Sequence, residues 1–457
     1  MSGTALLFLL TAVVAGALVL RWKRPAWYWL SFGITFALLR VLVRYNAVME
    51  ACGLTVPPPR WRLMMARMTR REAPGPRAPR ILRTRVSRTG LVLRLKVQPG
   101  QDAFDFAASS DRLRHSFGMH AVVSREIKAG VVELRMTGYD VLRRVQMPAA
   151  SSDVGVLRVA AALRDDGAVH YRDYRQVPHS LNVGATLSGK SVSQRHLVTQ
   201  LAPQHVALVG IDCKQGVELA PLARRFSALA DNADDALGVL EALVDRMAAI
   251  YQVIRHEQRI SSDIPDAEIT ADVWGLPEHL RPVPVVVFVD EFAELALFAS
   301  KEDEKRRDAI VTALVRLAQL GRAAGIYLEI SAQRVGAELG KQVTMLRAQL
   351  TGRTAHRVND ESSANMAFAD ISADAVLAAT QIPADMPGTA IVGDTSGGWA
   401  RTRAPHTSLR TAVNICNAHA HLAPALPELA AFRPALPAVV PSKLRHAPIP
   451  AAVTETA

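Results

Sequence analysis

The sequence is poor in cysteine and short of acidic residues. Its 457 residues contain three cysteines, Cys52, Cys213 and Cys416, an odd number spread widely along the chain. This usage argues against a disulfide framework and fits a reducing compartment. The 42 Asp and Glu residues are outnumbered by 54 Lys and Arg, which gives a formal net charge of +12. Such an excess favours a polyanionic partner, either nucleic acid or an anionic membrane surface, and charge alone does not choose between them.

Charge is absent from the first apolar run, Thr4 to Leu20, which has about the minimum length for a helix that crosses a bilayer. A second run, Ala26 to Val43, is interrupted by Arg40 and opens with the aromatic residues 27–29. We therefore predict a membrane anchor at residues 1–45, with one or two transmembrane helices. An interfacial helix and a cleaved signal peptide are the alternatives, although no Lys or Arg precedes the first run.

The remaining chain is expected to form four units. Pro and Arg dominate a linker at residues 46–88, whereas short alternating segments around a helical piece at 102–117 predict a small α+β domain at 89–151. The largest unit is at 152–420, and the Pro- and Ala-rich segment 421–457 is predicted to be a disordered tail.

The unit at 152–420 is predicted to have an α/β fold with a doubly wound, mostly parallel sheet. Short, nearly uncharged runs are typical of buried parallel strands, and they occur at Leu181–Val183, His205–Asp212, Val283–Asp290 and Ile326–Gln333. Between them, Asp235 to Ile254 and Arg307 to Leu320 place apolar residues at helical spacing. Alternating strands and helices define this fold class.

A complete G-x-x-x-x-G-K-S motif follows the first of these strands and predicts a nucleotide-binding P-loop. In such a loop the backbone N–H groups surround the phosphates, the lysine reaches the β and γ oxygens, and the serine hydroxyl binds Mg²⁺. The expected ATP-binding residues are Gly184, Ala185, Thr186, Leu187, Ser188, Gly189, Lys190 and Ser191.

Two acids, Asp290 and Glu291, end the apolar strand that begins at Val285. Beside a P-loop, Asp290 would hold Mg²⁺ together with Ser191, and Glu291 would polarise the attacking water. Acids that are merely solvated at a strand end are the alternative, which the upstream P-loop disfavours.

Three stretches, His179 to Ser191, Val285 to Leu295 and Arg316 to Arg334, resemble the motor domain of the FtsK/SpoIIIE family in order and spacing. The resemblance covers about residues 172–394, and among relatives the Tra conjugal transfer proteins of actinobacterial plasmids and integrative elements are the most similar. It implies a RecA-like P-loop NTPase, placed at the cell membrane with its motor in the cytoplasm. ATP hydrolysis would move double-stranded DNA during conjugal transfer, together with other transfer proteins.

Further residue roles come from this resemblance alone. Gln333 would sense the γ-phosphate, and Arg322 would reach the nucleotide of a neighbouring subunit, which requires an oligomer, by analogy a hexameric ring. Arg334, Lys341 and Arg347 would contact DNA phosphates in a pore loop, unless they are only solvated charges. Leu187 stands where the family usually has glycine, and Cys213 where it usually has proline.

Three other functions remain open at this stage, and the simplest is a non-motor anchoring protein that merely binds nucleotide. A protein-secretion ATPase of the EccC type uses the same motor on a polypeptide, but such chains have several motors and this one has a single P-loop. A chromosome-segregation translocase at the septum is the third, and it is disfavoured because no sequence-reading winged helix is evident after Ser408.

Overall fold

The computed structural model describes residues 3–69, 75–147, 155–258, 271–296, 300–333, 341–395 and 397–435. Its strands are β1 Arg80–Val86, β2 Gly90–Lys96, β3 Ala121–Lys128, β4 Val131–Thr137, β5 Arg158–Arg164, β6 Val169–Asp173, β7 His179–Val183, β8 Ala207–Ile211, β9 Ala228–Ala230, β10 Val285–Val289, β11 Ile326–Ala332, β12 Gly352–His356, β13 Thr389–Asp394 and β14 Trp399–Arg403.

The helices account for most of the remaining described chain. They are α1 Gly3–Lys23, α2 Pro25–Tyr28, α3 Ile34–Ala51, α4 Arg60–Met68, α5 Ala103–Ala108, α6 Ser110–Phe117, α7 Lys190–Leu201, α8 Ala233–Glu257, α9 Phe292–Ala296, α10 Lys301–Leu320, α11 Lys341–Gln349, α12 Glu361–Phe368, α13 Ala373–Thr380 and α14 Leu409–Ala418. A π-helical turn, Trp29–Gly33, joins α2 to α3.

The first sheet is antiparallel, in the order β1-β2-β4-β3. Leu91, Leu93 and Leu95 of β2 are fully buried on one face, where α3, α5 and α6 cover them. Asp102 caps α5 through a capping box with Asp105, so the predicted helical piece begins where the sequence indicated.

Helix α3 comes from the second apolar run, and the small sheet domain covers one side of it. Val41 and Met49 are buried against this domain, the Arg40 guanidinium donates to the Phe117 carbonyl at 2.6 Å, and the Tyr45 hydroxyl donates to the Pro79 carbonyl at 2.7 Å. Within the described ranges, Pro25–Ala51 is the one helix that is long and apolar enough to cross a membrane by length and composition.

The second sheet has ten strands in the order β6-β5-β14-β13-β12-β7-β11-β10-β8-β9. The strands from β12 to β9 are parallel, and the strands from β6 to β13 extend them with antiparallel pairs. All five residues of β10 are buried, with Val285 and Val287 in the core on one face and Val286 and Phe288 in the core on the other. Burial on both faces explains why this run carries no charge.

The doubly wound α/β core is confirmed, because β7, β8, β10 and β11 occupy the four predicted runs, and α8 and α10 occupy the two predicted helices. The antiparallel half was not predicted. Its strands are only partly buried, as in β6 and β14, so they contain polar residues and lack the continuous apolar signal of a buried parallel strand.

The structure differs from the sequence analysis at two predicted boundaries. The segment 80–86, assigned to the linker, forms β1 and pairs with β2; most of this edge strand is exposed, so it carries the arginines typical of a linker. The tail predicted from residue 421 is ordered up to 435, because Leu429 is fully buried in the main core and Phe432 packs on Gly238 of α8. Residues 436–457 lie outside the described residues.

Two buried histidines, His179 and His356, are expected to make the α/β domain less stable in acid. Burial lowers the pKa of His179 to about 3 and that of His356 to about 4, and neither ring nitrogen of His179 has a hydrogen-bond partner in the described structure. Both pKa values lie below the value of about 6.5 for an unfolded histidine. The stability that each neutral ring contributes is therefore complete above pH 6.5 and is lost as pH falls toward the folded pKa.

The unfolding free energy should fall as pH is lowered from about 6 to about 4. We expect His179→Leu to make this fall less steep by about 1.4 kcal/mol per pH unit. Denaturant titrations across this pH range measure the slope. Ser180→Ala, at the next buried position of β7, is the control and keeps the slope of the unchanged protein. An unchanged slope in His179→Leu would show that His179 does not titrate on unfolding.

Candidate functional site

The P-loop connects β7 to α7. At two of its positions neighbouring atoms lie so close that only glycine fits. Gly189 has a φ of 99°, and a Cβ there would lie 2.1 Å from the Gly388 backbone nitrogen. A Cβ on Gly184 would lie 2.6 Å from Ser188 Oγ and 2.8 Å from His356 Cβ. The loop is therefore closed tightly against the neighbouring chain. A larger residue would displace the Gly388 backbone if placed at 189, and the side chains of Ser188 and His356 if placed at 184.

Segments distant in sequence hold the loop in place. The Gly388 N–H donates to the Ser188 carbonyl at 2.8 Å, and the Ala185 N–H donates to the Arg357 carbonyl at 2.9 Å. The Arg357 guanidinium in turn donates to the Thr186 carbonyl at 3.2 Å. Neither Gly388 nor Arg357 was identified from the sequence, because each lies far along the chain in a segment without a motif.

Leu187 occupies a left-handed conformation, with a φ of 61°, and its side chain is 88% exposed. This explains the usual glycine at this position, because the left-handed region costs an ordinary residue about 1–2 kcal/mol. We expect Leu187→Gly to raise the unfolding free energy by about 0.5–1 kcal/mol, after the extra entropy of an unfolded glycine is subtracted. Thermal unfolding measures the change.

Thr186→Gly is the matched control, because Thr186 is also exposed in the same loop but has no positive φ. It should lower stability, since the only effect is the entropy of glycine in the unfolded chain. If both glycine variants lower stability equally, Leu187 is not strained.

Lys190 and Glu291 form a buried ion pair at the start of α7. Lys190 Nζ lies 2.9 Å from Glu291 Oε2, and both side chains are less than a tenth exposed. Glu291 Oε1 accepts a hydrogen bond from the Gln333 N–H at 2.9 Å. The structure thus brings together the P-loop lysine, the second acid and the end of β11, three elements separated widely in sequence.

Asp290 is fully buried beside this pair, and one of its oxygens lacks a partner. Oδ2 lies 3.2 Å from Lys214 Nζ, whereas Oδ1 has no hydrogen-bond partner in the described structure. Burial raises the pKa of Asp290, although the Lys214 ammonium opposes this shift. An unpaired buried carboxylate oxygen fits a hard cation such as Mg²⁺. Ser191, the other expected ligand, is half-buried at the start of α7.

Lys214 is a site residue that the sequence reasoning did not identify. Its ammonium lies 3.2 Å from Asp290 Oδ2 and 3.4 Å from Glu291 Oε2. Asp212 fixes the loop that carries it, because Asp212 Oδ2 accepts from the Glu218 and Leu219 N–H groups at 2.9 and 3.0 Å. The sequence could have indicated Lys214, because it lies just after the end of β8. Strand β8 is next to β10 in the sheet, and β10 leads to the two acids.

Arg322 lies at the opposite end of β11 from Gln333. β11 runs from Ile326 to Ala332, so a distance of about 20 Å separates its two ends. Both Arg322 and Gln333 are exposed. Arg322 therefore does not reach the nucleotide site of its own chain.

The three residues expected to contact DNA are not all described. Arg334 lies outside the described residues, and Lys341 is the first residue of α11. Arg347 is half-buried in the same helix, and its carbonyl accepts from the Arg353 guanidinium at 2.7 Å. Val343 and Leu346 fix this helix in the main core.

A buried ion pair joins the antiparallel strands to the parallel strands behind the P-loop. Arg172 Nε lies 2.5 Å from Glu329 Oε1, and Asn182 Nδ2 donates to Glu329 Oε2 at 2.9 Å. A carboxylate this deeply buried is retained only with such partners. The pair links β6, β7 and β11, and so fixes the antiparallel strands relative to the strand that leads into the P-loop.

The fold and the site define a class of protein: a P-loop NTPase of the α/β type, in which the P-loop lysine Lys190 lies beside the buried acids Asp290 and Glu291. Residues 142–337 match the FtsK/SpoIIIE family, and residues 16–138 match the N-terminal domain of actinomycete conjugal transfer proteins. The chain belongs to the conjugal transfer proteins of the FtsK/SpoIIIE family. It is an ATPase.

Similar proteins support this assignment, and they match this chain over different shares of its length. The transfer protein TraSA of Streptomyces ambofaciens is 73% identical over 398 residues, which are 87% of this chain and 96% of that protein. The DNA translocase FtsK of Mycobacterium tuberculosis is 34% identical over 172 residues, 35% of this chain but only 20% of FtsK. The pCW3 conjugation coupling protein TcpA, solved with ATPγS, has the same fold, with a TM-score of 0.51, 18% identity and coverage of 75% of this chain and 94% of that one.

Proposed function

We propose that this chain hydrolyses ATP to move double-stranded DNA during conjugal transfer. The observation that carries the proposal is the meeting of Lys190, Asp290 and Glu291 at one edge of the sheet, in a chain 73% identical to a transfer protein along most of its length. Translocation of DNA is named for FtsK, with which the chain shares the motor segment.

The ion pair between Lys190 and Glu291 gives the site a way to respond to ATP. A triphosphate offers Lys190 a stronger anionic partner than one carboxylate, so ATP draws the ammonium away from Glu291. Glu291 is then free to polarise the attacking water, while its hydrogen bond from the Gln333 N–H keeps it in position. Asp290 and Ser191 would hold Mg²⁺, which neutralises the charge that develops on the phosphates.

Arg322 belongs in this proposal to a neighbouring subunit. It is exposed and lies at the far end of β11 from its own site, which is the position of an arginine that acts in trans. A closed ring places each such arginine at the next subunit's nucleotide, and six subunits are proposed from the family. Such an arginine stabilises the charge of the transition state.

The N-terminal segment is proposed as the membrane anchor. Thr4 to Leu20 forms most of α1 without a charge, and Arg21, Lys23 and Arg24 follow it directly. Basic residues at the end of a span favour the cytoplasmic side, which puts the motor in the cytoplasm with ATP. Pro25–Ala51 has the length and composition of a span, but the small sheet domain covers one side of α3, so we propose α1 as the span.

The test is ATP hydrolysis by the full chain in detergent with no polymer, with duplex DNA or with an unfolded polypeptide. We expect stimulation by duplex DNA alone, and none in Lys190→Ala. Stimulation by the polypeptide and not by DNA would replace this proposal with a protein-secretion motor. Hydrolysis that responds to neither polymer would remove the translocase function.

A further inference from the structure

The face of the small sheet opposite to α3 is strongly basic. Strand register places eight cationic residues on this face, which we call the basic face: Arg80, Arg83, Arg85, Arg94, Lys96, Arg125, Lys128 and Arg135. All are exposed except Arg135, which is half-buried. Leu91, Leu93 and Leu95 alternate with the cations along β2, so they point to the other face, where they form the core of the domain.

The carboxylates at the basic face are already neutralised. Glu133 is 5% exposed and lies 2.9 Å from both Arg94 Nε and Arg135 Nε. Asp166, from the turn between β5 and β6, lies 3.2 Å from Arg135 Nη1 and 3.4 Å from Arg164 Nη2. Two buried acids thus face eight cations, and the exposed charge that remains is positive throughout.

The basic face is concave and adjoins the motor. A cavity of about 280 Å³ is lined by Arg83, Arg85, Arg94 and Arg135 together with the turn 166–168. The turn packs closely, since a Cβ on Gly167 would lie 2.6 Å from Thr89 Oγ1.

Alternate residues along a strand are about 6.7 Å apart and neighbouring strands about 4.8 Å apart, so the guanidinium groups form a grid of donors. Guanidinium groups bind phosphate oxygens with two parallel hydrogen bonds.

The two faces of this sheet differ in chemistry. This difference indicates which polyanion, a lipid surface or nucleic acid, the basic face would bind. Helix α3 lies on the apolar face and exposes Phe36, Leu39, Leu42 and Val43 outward. The basic face points the other way and is joined to the motor by the ion pair between Arg135 and Asp166. A polyanion on the basic face therefore lies beside the motor and away from the side of the domain that carries the apolar helix.

We infer that the basic face binds the phosphate backbone of duplex DNA, without reading sequence, next to the motor. This inference rests on the proposed translocation of DNA and adds a second DNA contact outside the motor. Contacts to DNA phosphates give a binding affinity that falls steeply as the salt concentration rises.

The test compares two double variants of the full chain in detergent. Arg83→Gln with Arg85→Gln removes two cations from the exposed edge strand β1. Arg44→Gln with Arg112→Gln removes two exposed cations from α3 and α6, which cover the apolar face. Affinity for a random-sequence duplex is measured by fluorescence anisotropy across a salt series, together with ATP hydrolysis in the absence of DNA.

We expect the β1 variant to bind duplex DNA more weakly and to lower the slope of log affinity against log salt by about 0.9 for each lost phosphate contact. The control variant should keep the slope of the unchanged protein, and both variants should keep hydrolysis without DNA. An unchanged slope in the β1 variant would overturn the inference while leaving the proposed function intact.

Two other outcomes would also overturn the inference. If the β1 variant loses binding to phosphatidylserine vesicles but keeps its duplex affinity, the basic face binds the lipid surface. If the unchanged protein binds no duplex at any salt concentration, the proposed function fails and this inference fails with it.

Discussion

Replacing Glu291 with glutamine should lower ATP turnover about 10²–10⁴-fold, because glutamine cannot accept a proton from the attacking water. ATP should bind as tightly or more tightly, since Lys190 no longer has to leave a carboxylate 2.9 Å away. Steady-state hydrolysis and binding of a fluorescent ATP analogue measure the two effects separately. The expected variant holds ATP and does not cleave it.

Glu294→Gln is the control for this change, because Glu294 is an exposed acid three residues further on. It should hydrolyse ATP at the normal rate. If Glu291→Gln also keeps normal turnover, another group activates the water and the buried pair with Lys190 is only structural. A loss of ATP binding in Glu291→Gln would instead mean that this acid helps to build the P-loop.

Arg322→Ala should lower turnover about 10³–10⁵-fold, as expected for an arginine that stabilises the transition state from a neighbouring subunit. ATP binding should be unchanged, because Arg322 lies about 20 Å from the nucleotide site of its own chain. Arg316→Ala, which removes an exposed arginine from the nearby turn of α10, is the control and should leave turnover normal.

Mixing two inactive proteins separates action in trans from a structural role. In a mixture of Arg322→Ala and Lys190→Ala subunits, some Arg322→Ala subunits hold ATP beside an intact Arg322 from a Lys190→Ala neighbour. We expect hydrolysis to reappear in the mixture. If the mixture remains as inactive as either protein alone, Arg322 does not act across a subunit boundary.

Much of the motor could be predicted from the sequence because its signals are local. The P-loop depends on consecutive residues, and buried parallel strands such as β10 must be apolar on both faces, so each leaves a continuous run. Capping is local as well. Ser300 begins α10 through a capping box with Asp303, three residues further on.

The features that the sequence did not reveal depend on contacts between distant segments. Gly388 closes the P-loop from about two hundred residues away, and Arg172 meets Glu329 across the sheet. Glu329 is the single charged residue of β11, and it is the sequence feature that could have indicated this pair. β1 was missed for a different reason, because an exposed edge strand has no buried face to impose alternation.

The position of a bound metal–nucleotide complex would show whether the P-loop and Asp290 act on the same phosphates. A crystal of the motor with Mn²⁺ and a nonhydrolysable ATP analogue would locate the metal by its anomalous scattering. We expect one peak between Asp290 and Ser191, beside phosphates held by the loop from Gly184 to Ser191, with the Lys190 ammonium on the phosphates and no longer on Glu291. A nucleotide bound elsewhere, or a metal remote from Asp290, would contradict this account of the site.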